Sequence, residues 1–110
     1  MSVDKLKELM DGGEVQLVDV REDHEHEAGR LPRDRHIELS QVAASAESFD
    51  LDTPLVFYCH SGRRSAMPAE AFREAGYDAY NLTGGIVAWH EAGLPLEPEG
   101  GRVVERTPLP

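Results

Sequence analysis

Four consecutive apolar residues, Leu55-Val56-Phe57-Tyr58, constrain this chain more than any other stretch. With no polar alternate position, the run reads as a strand buried on both faces, which needs covering layers above and below it. The rest of the chain supplies them by alternation. Val15 to Val20 is β-rich and mostly apolar, His36-Ile37 reads as a very short strand, and Ala79 to Leu82 as a brief one. Helical patterns lie between. Ser2 is placed to cap a helix running to Met10, with Leu6, Leu9 and Met10 on one face and Gly12-Gly13 ending it. Glu22 to Ala28 reads as one or two polar turns, and Gly29 and Pro32 punctuate the loop that follows. Ser40 to Phe49 reads as a helix with Val42, Ala43, Ala46 and Phe49 inward. Arg63 to Ala75 reads as another, with Ala69, Phe72 and Ala75 on one face, and Ile86 to Glu91 as the last.

Strands separated by helices at such short intervals specify right-handed crossovers. The expectation is a small three-layer α/β domain whose four or five mainly parallel strands are flanked by helices. Residues 1–96 form that single domain. Residues 97–110, rich in Pro, Gly and Glu, read as a C-terminal tail in which only Val103-Val104 invites docking. A chain of 110 residues accommodates one core of this kind.

Charge and cysteine usage narrow the function. Eleven basic residues against 21 acidic ones give a formal net charge of −10. Nucleic acid and anionic membrane surfaces are therefore poor partners. The single cysteine excludes an internal disulfide and the multi-cysteine zinc sites. No apolar run spans a bilayer, and Met1 to Lys7 lacks the apolar core of a signal peptide, so a cytoplasmic monomer is expected. His24 and His26, among Glu22, Glu25 and Glu27, do not share a helical face and read as a solvated surface. Neither a metal nor a cofactor is expected. His36 is expected to be structural, His90 exposed and Trp89 in the core.

Chemistry concentrates after the apolar run, in Cys59-His60-Ser61-Gly62-Arg63-Arg64-Ser65. In open α/β sheets ligands sit at the carboxyl ends of strands, where Cys59 falls. The loop then enters a helix N-terminus, whose free N–H groups and dipole favour an anion, and Gly62 permits the backbone to curl into a nest. The same field favours a thiolate, the nucleophilic form of cysteine. A free cysteine is more often an inert core residue. Two arginines, a glycine and two hydroxyls within six residues weigh for a reactive one.

This segment resembles the active-site loop of the rhodanese (sulfurtransferase) family in its single-domain form. Leu17-Val18-Asp19-Val20-Arg21-Glu22, Gly29-Arg30-Leu31-Pro32 and Leu82-Thr83-Gly84-Gly85-Ile86-Val87-Ala88-Trp89 resemble further family elements, in order and in register. The resemblance implies a five-stranded parallel sheet. It also implies that Cys59 takes sulfane sulfur from a donor such as thiosulfate and passes it, through a persulfide, to a thiol, cyanide or protein acceptor. Such a relay needs one exposed nucleophilic sulfur. Residues His60, Ser61, Gly62, Arg63, Arg64 and Ser65 would bind the substrate. One arginine is expected to face the pocket and the other to pair with an acid such as Asp19 or Glu22. Asp19 and Arg21 either support the loop from behind or cap their strand as an ion pair.

Two other readings stand beside this one. Cysteine phosphatases and arsenate reductases also cradle an anion, but they need one more residue between cysteine and arginine than the four separating Cys59 from Arg64. A thiol redox sensor or binding module would use the same thiolate. Arg33-Asp34 and Pro68 depart from the family pattern; Pro68 implies that the active-site helix starts near Ala66 or Met67, or is kinked.

Overall fold

A computed structural model describes residues 1–106. The elements are α1 (Val3–Asp11), β1 (Gln16–Asp19), α2 (Asp23–Ala28), β2 (Arg35–His36), 3-10 stretches at Leu39–Gln41 and Ala43–Ser48, β3 (Leu55–Tyr58), α3 (Arg63–Glu74), β4 (Ala79–Asn81) and α4 (Gly85–Glu91). The strands form one parallel sheet in the order β2-β1-β3-β4, so the α/β layering expected from the pattern is what the chain adopts. Among the described residues the sheet has four strands, one fewer than the resemblance implied. The nearest further pairing is a lone antiparallel bridge between Arg30 and Glu97. Pro95 and Pro98, flanking that bridge, have no N–H to extend a ladder.

The central strand explains the layering. All four residues of β3 are fully buried. Leu55 and Phe57 point into one core with Val18, Val20, Val42, Phe49, Ala69 and Phe72. Val56 and Tyr58 point into the other with Leu6, Met10, Leu17, Ile86 and Trp89. The 3-10 stretches and α3 cover the first face, and α1 and α4 the second. Ser2 caps α1 by accepting from the Lys5 N–H, and Leu6 and Met10 are its buried residues.

Three local expectations change. The segment before β3 winds as 3-10 turns rather than one α-helix. There the Ser45 hydroxyl donates to the Gln41 carbonyl and the Ser48 hydroxyl to the Ser45 carbonyl. Such local bonds compete with a helical ladder. The tighter repeat leaves Val42 and Phe49 buried but turns Ala43 out. Helix α3 starts at Arg63, ahead of Ala66 and Met67, because Gly62 supplies its left-handed cap; Pro68 lies inside it, removing the N–H that the Arg64 carbonyl would accept. Ala75, just past its end, is exposed.

The segment from Glu97 to Arg106 lies along α2. Arg30 and Glu97 exchange backbone hydrogen bonds at 2.8 Å, and the Arg102 N–H donates to the Ala28 carbonyl at 2.8 Å. Val103 packs against the second core, and the Arg106 guanidinium reaches Glu22 at 3.0 Å. The last four residues of the expected tail, 107–110, lie outside the described residues. Among the described residues no helix is long and apolar enough to cross a membrane.

Candidate active site

Strand β3 runs straight into Cys59, and the parallel register brings the carboxyl ends of β1 and β4 to the same edge. The sulfur is the centre of a ring of donors. The Gly62 N–H donates to Sγ at 3.1 Å, and the Ser65 hydroxyl oxygen lies 3.3 Å from it. Burial pushes the thiol up, but hydrogen bonds from the Ser65 side chain and from the Ser65, Gly62 and Arg64 N–H groups outweigh it. The thiol settles below its ordinary range. Gly62 has φ 99°, a conformation that an L side chain would strain.

Helix α4 supports the loop from the other side. Its Ile86 and Val87 N–H groups donate to the carbonyls of Cys59 and His60 at 3.0 and 3.2 Å. A Cβ on Gly85 would collide with those same carbonyls, and φ 60° disfavours one there as well. The first turn of α3 thus faces the sulfur, while the first turn of α4 holds the loop's outward-turned oxygens.

The two arginines separate. Arg63 is exposed, and its side chain makes no ion pair or hydrogen bond among the described residues. It lines a cleft of about 290 Å³ with His60, Ser61, Arg64, Glu105 and Arg106. Arg64 turns aside and closes a two-pronged bond on Glu25, both contacts at 2.9 Å. Its partner is therefore Glu25 rather than Asp19 or Glu22. Burial pushes the Glu25 carboxyl up, but the Arg64 fork and the Glu22 backbone hold it below the usual carboxylate range. Cys59 itself is only 1% exposed and is not among the residues lining the cleft, so the nucleophile lies beneath the loop rather than at the surface. The loop that supplies its donors also covers it.

Asp19 and Arg21 meet each other and not the loop. Asp19 accepts from the Arg21 N–H at 2.9 Å, from Nε at 2.9 Å and from Nη2 at 2.7 Å; Nη2 also donates to the Gly29 carbonyl. They lie behind the site, against Tyr58, the residue before Cys59, rather than at the sulfur. His26 is not solvated as expected. It stacks on His36 with centroids 4.3 Å apart and lies 2.9 Å from Asp19 Oδ2. Donor atoms of Asp19, His26 and Asp34 converge within 4.8 Å of one another. Asp19 is already engaged by the Arg21 guanidinium and Asp34 by the Tyr58 hydroxyl.

Two residues at the site escaped the sequence reading. Glu25 lies in a segment whose composition reads as a polar surface, although the Glu22/Glu25 capping box marks its helix start. Asn81 ends the strand beside β3, and the rule that singled out Cys59 applies equally to a polar residue there.

A family model described as a rhodanese-like domain matches residues 2–92. The chain belongs to the rhodanese-like domain family. A thiosulfate sulfurtransferase GlpE of Shewanella oneidensis is 33% identical over 93 residues, covering 84% of this chain and 92% of the relative. A thiosulfate sulfurtransferase GlpE of Pseudomonas aeruginosa is 34% identical over 99 residues, covering 89% and 88%. A rhodanese-like domain protein from Staphylococcus aureus superposes with TM-score 0.75 at 30% identity, covering 96% of this chain and 97% of that one.

Proposed function

We propose that this chain is a sulfurtransferase that carries sulfane sulfur as a persulfide on Cys59. The observation that carries the reading is the ring around Sγ, where backbone N–H groups and the Ser65 hydroxyl converge on one atom and favour its anion. The family and the names of the two relatives support it.

In the first half-reaction the Cys59 thiolate attacks the sulfane sulfur of an anionic donor such as thiosulfate. A sulfur–sulfur bond to Cys59 forms, the donor's own breaks, and sulfite leaves with the electron pair. In the second, cyanide or a thiolate attacks the terminal sulfur, and the electron pair of the broken bond returns to Cys59. Between the two steps the terminal sulfur is anionic, and the loop N–H groups can hold it as they would an oxyanion. Arg63, free at the rim, offers the donor a guanidinium fork. His60 and Ser61 form the rest of the rim. Because Cys59 is buried, the donor must present a slim terminal sulfur. The phosphatase reading loses ground here, since the Arg64 fork is spent on Glu25 and the loop keeps the shorter spacing.

The test is direct. After exposure to thiosulfate, intact mass should show one added sulfur atom on the wild type and none on Cys59→Ser. The serine variant should keep the fold and lose thiocyanate formation. Undiminished transfer by that variant, or efficient aryl phosphate hydrolysis by the wild type, would overturn the proposal.

A further inference from the structure

The hydroxyl of Ser65 has one proton and two neighbours that can take it. Its oxygen lies 2.6 Å from Asn81 Oδ1 and 3.3 Å from Cys59 Sγ. The Asn81 amide cannot turn over to relieve this. Its Nδ2 donates to the Gly62 carbonyl at 2.9 Å, which leaves Oδ1, a pure acceptor, facing Ser65. The shorter contact is therefore where the proton rests while Cys59 is a neutral thiol. The S–H group can then point at the Ser65 oxygen.

A thiolate or persulfide reverses the demand, because an anionic sulfur only accepts. The Ser65 proton must rotate to it, and Asn81 Oδ1 loses its donor. We infer that Asn81 is a positioning residue of the sulfur-transfer site, pinning the Gly62 carbonyl at the cap of α3 and competing with the sulfur for the Ser65 proton. It touches neither the sulfur nor the donor, and acts through Ser65 and Gly62. The inference rests on the reading that Cys59 is the working nucleophile.

Other titratable groups surround the loop. They are Arg64 on α3, Arg63 and His60 on the loop, Glu25 on α2 through its bond to Arg64, and Glu105 and Arg106 at the mouth. From α4 the loop meets the Ile86 and Val87 N–H groups, and β4 presents Asn81.

Asn81→Asp keeps the acceptor, strengthens it with charge and loses the bond to Gly62. The pH midpoint of Cys59 alkylation should move up, and alkylation at neutral pH should slow about tenfold. Persulfide loading from thiosulfate should slow in kcat with KM little changed, because the rim that meets the donor is untouched. The same substitution in a Ser65→Ala background should move the midpoint much less, since the contested proton is gone. Equal shifts in both backgrounds would mean that Asn81 acts by charge alone and would overturn the inference, as would no shift at all. If the aspartate variant does not fold, Asn81→Leu serves. With no competing acceptor the midpoint should fall, and an unchanged midpoint would count against the inference. A midpoint that responds in a protein that never forms a persulfide would instead sink the proposed function and leave this inference standing.

Discussion

Two arginine–carboxylate pairs flank helix α2, and each closes through two guanidinium nitrogens. Arg21 and Asp19 lie two residues apart, both side chains fully buried. Arg64 and Glu25 lie 39 residues apart; the glutamate is buried, while the arginine keeps 14% of its side chain exposed at the mouth. The sealed pair has spent its charge on the fold. Arg21 also holds the Gly29 carbonyl, its Nη1 has no hydrogen-bond partner among the described residues, and its guanidinium carbon lies over the Tyr58 ring, 5.4 Å from the centroid. The open pair still faces the site, since Arg64 lines the cleft and its N–H is one of the donors to the Cys59 sulfur. One chemical motif thus serves anchorage in one place and tuning in the other, and burial separates the two.

The largest effect should come from breaking the sealed pair. Arg21→Met leaves the Asp19 carboxylate buried without its counter-charge. Removing one partner from such a pair costs about 3–5 kcal/mol, far more than the net worth of the intact pair. Urea unfolding should read that loss directly, while the folded protein's alkylation midpoint stays near the wild-type value. A midpoint displaced as far as in the open-pair variant would erase the distinction between the pairs.

Glu25→Gln cuts the open pair. The stability loss should be smaller, about 1–3 kcal/mol, the scale of a charge-assisted hydrogen bond left unmade. Reactivity should respond more. With its neutralising partner gone, the Arg64 charge acts undiminished on the sulfur, so the thiolate forms at lower pH and alkylation at neutral pH quickens. An alkylation profile superimposable on the wild type would show that Arg64 contributes nothing to the thiolate.

The contrast also marks how far the sequence could be read. Leu55 to Tyr58 announced a strand with two buried faces, and the loop after it announced its own chemistry, because both signals are contiguous. Gly85 lies in the Leu82–Trp89 element, and its close approach is to the Cys59 loop. The Arg64–Glu25 bond was not legible, since its partners meet only when α2 and α3 are brought together across the sheet edge. Nothing in the local pattern prefers Glu25 to Glu22. The course of residues 97–106 was hidden for another reason. Its anchors are mainly backbone hydrogen bonds, to Arg30 and Ala28, and these leave no side-chain signature; Val103-Val104 carried the one apolar hint, and Val103 is the residue that packs on the core. The 3-10 stretches were misread because their alanines fit a helical period that the serine hydroxyls break.

The finest test of the buried region lies in its acid response. Burial pushes the Asp19 carboxyl up, but His26 and Arg21 together hold it below the ordinary range, and Glu25 is held low by its own partners. Groups lowered by folding stabilise fully above the ordinary carboxylate range, and that contribution is lost as pH falls through their folded values. Asp34 runs the other way. Burial lifts it, the nearby Asp19 charge adds to the rise, and the Tyr58 hydroxyl at 2.6 Å offsets only part. Between the ordinary carboxylate range and its raised value, the folded protein holds a proton that the unfolded chain has released. In that window Asp34 makes stability rise as pH falls, whereas Asp19 and Glu25 draw it down only at lower pH. Asp34→Asn keeps an oxygen for the Tyr58 hydroxyl and removes the titration. Its stability at neutral pH should change less than in either arginine-pair variant, and it should lack the rise in stability that the wild type shows as pH falls through that window. Urea titrations at a series of acidic pH values measure both slopes, and parallel curves would show that Asp34 is not lifted by its surroundings.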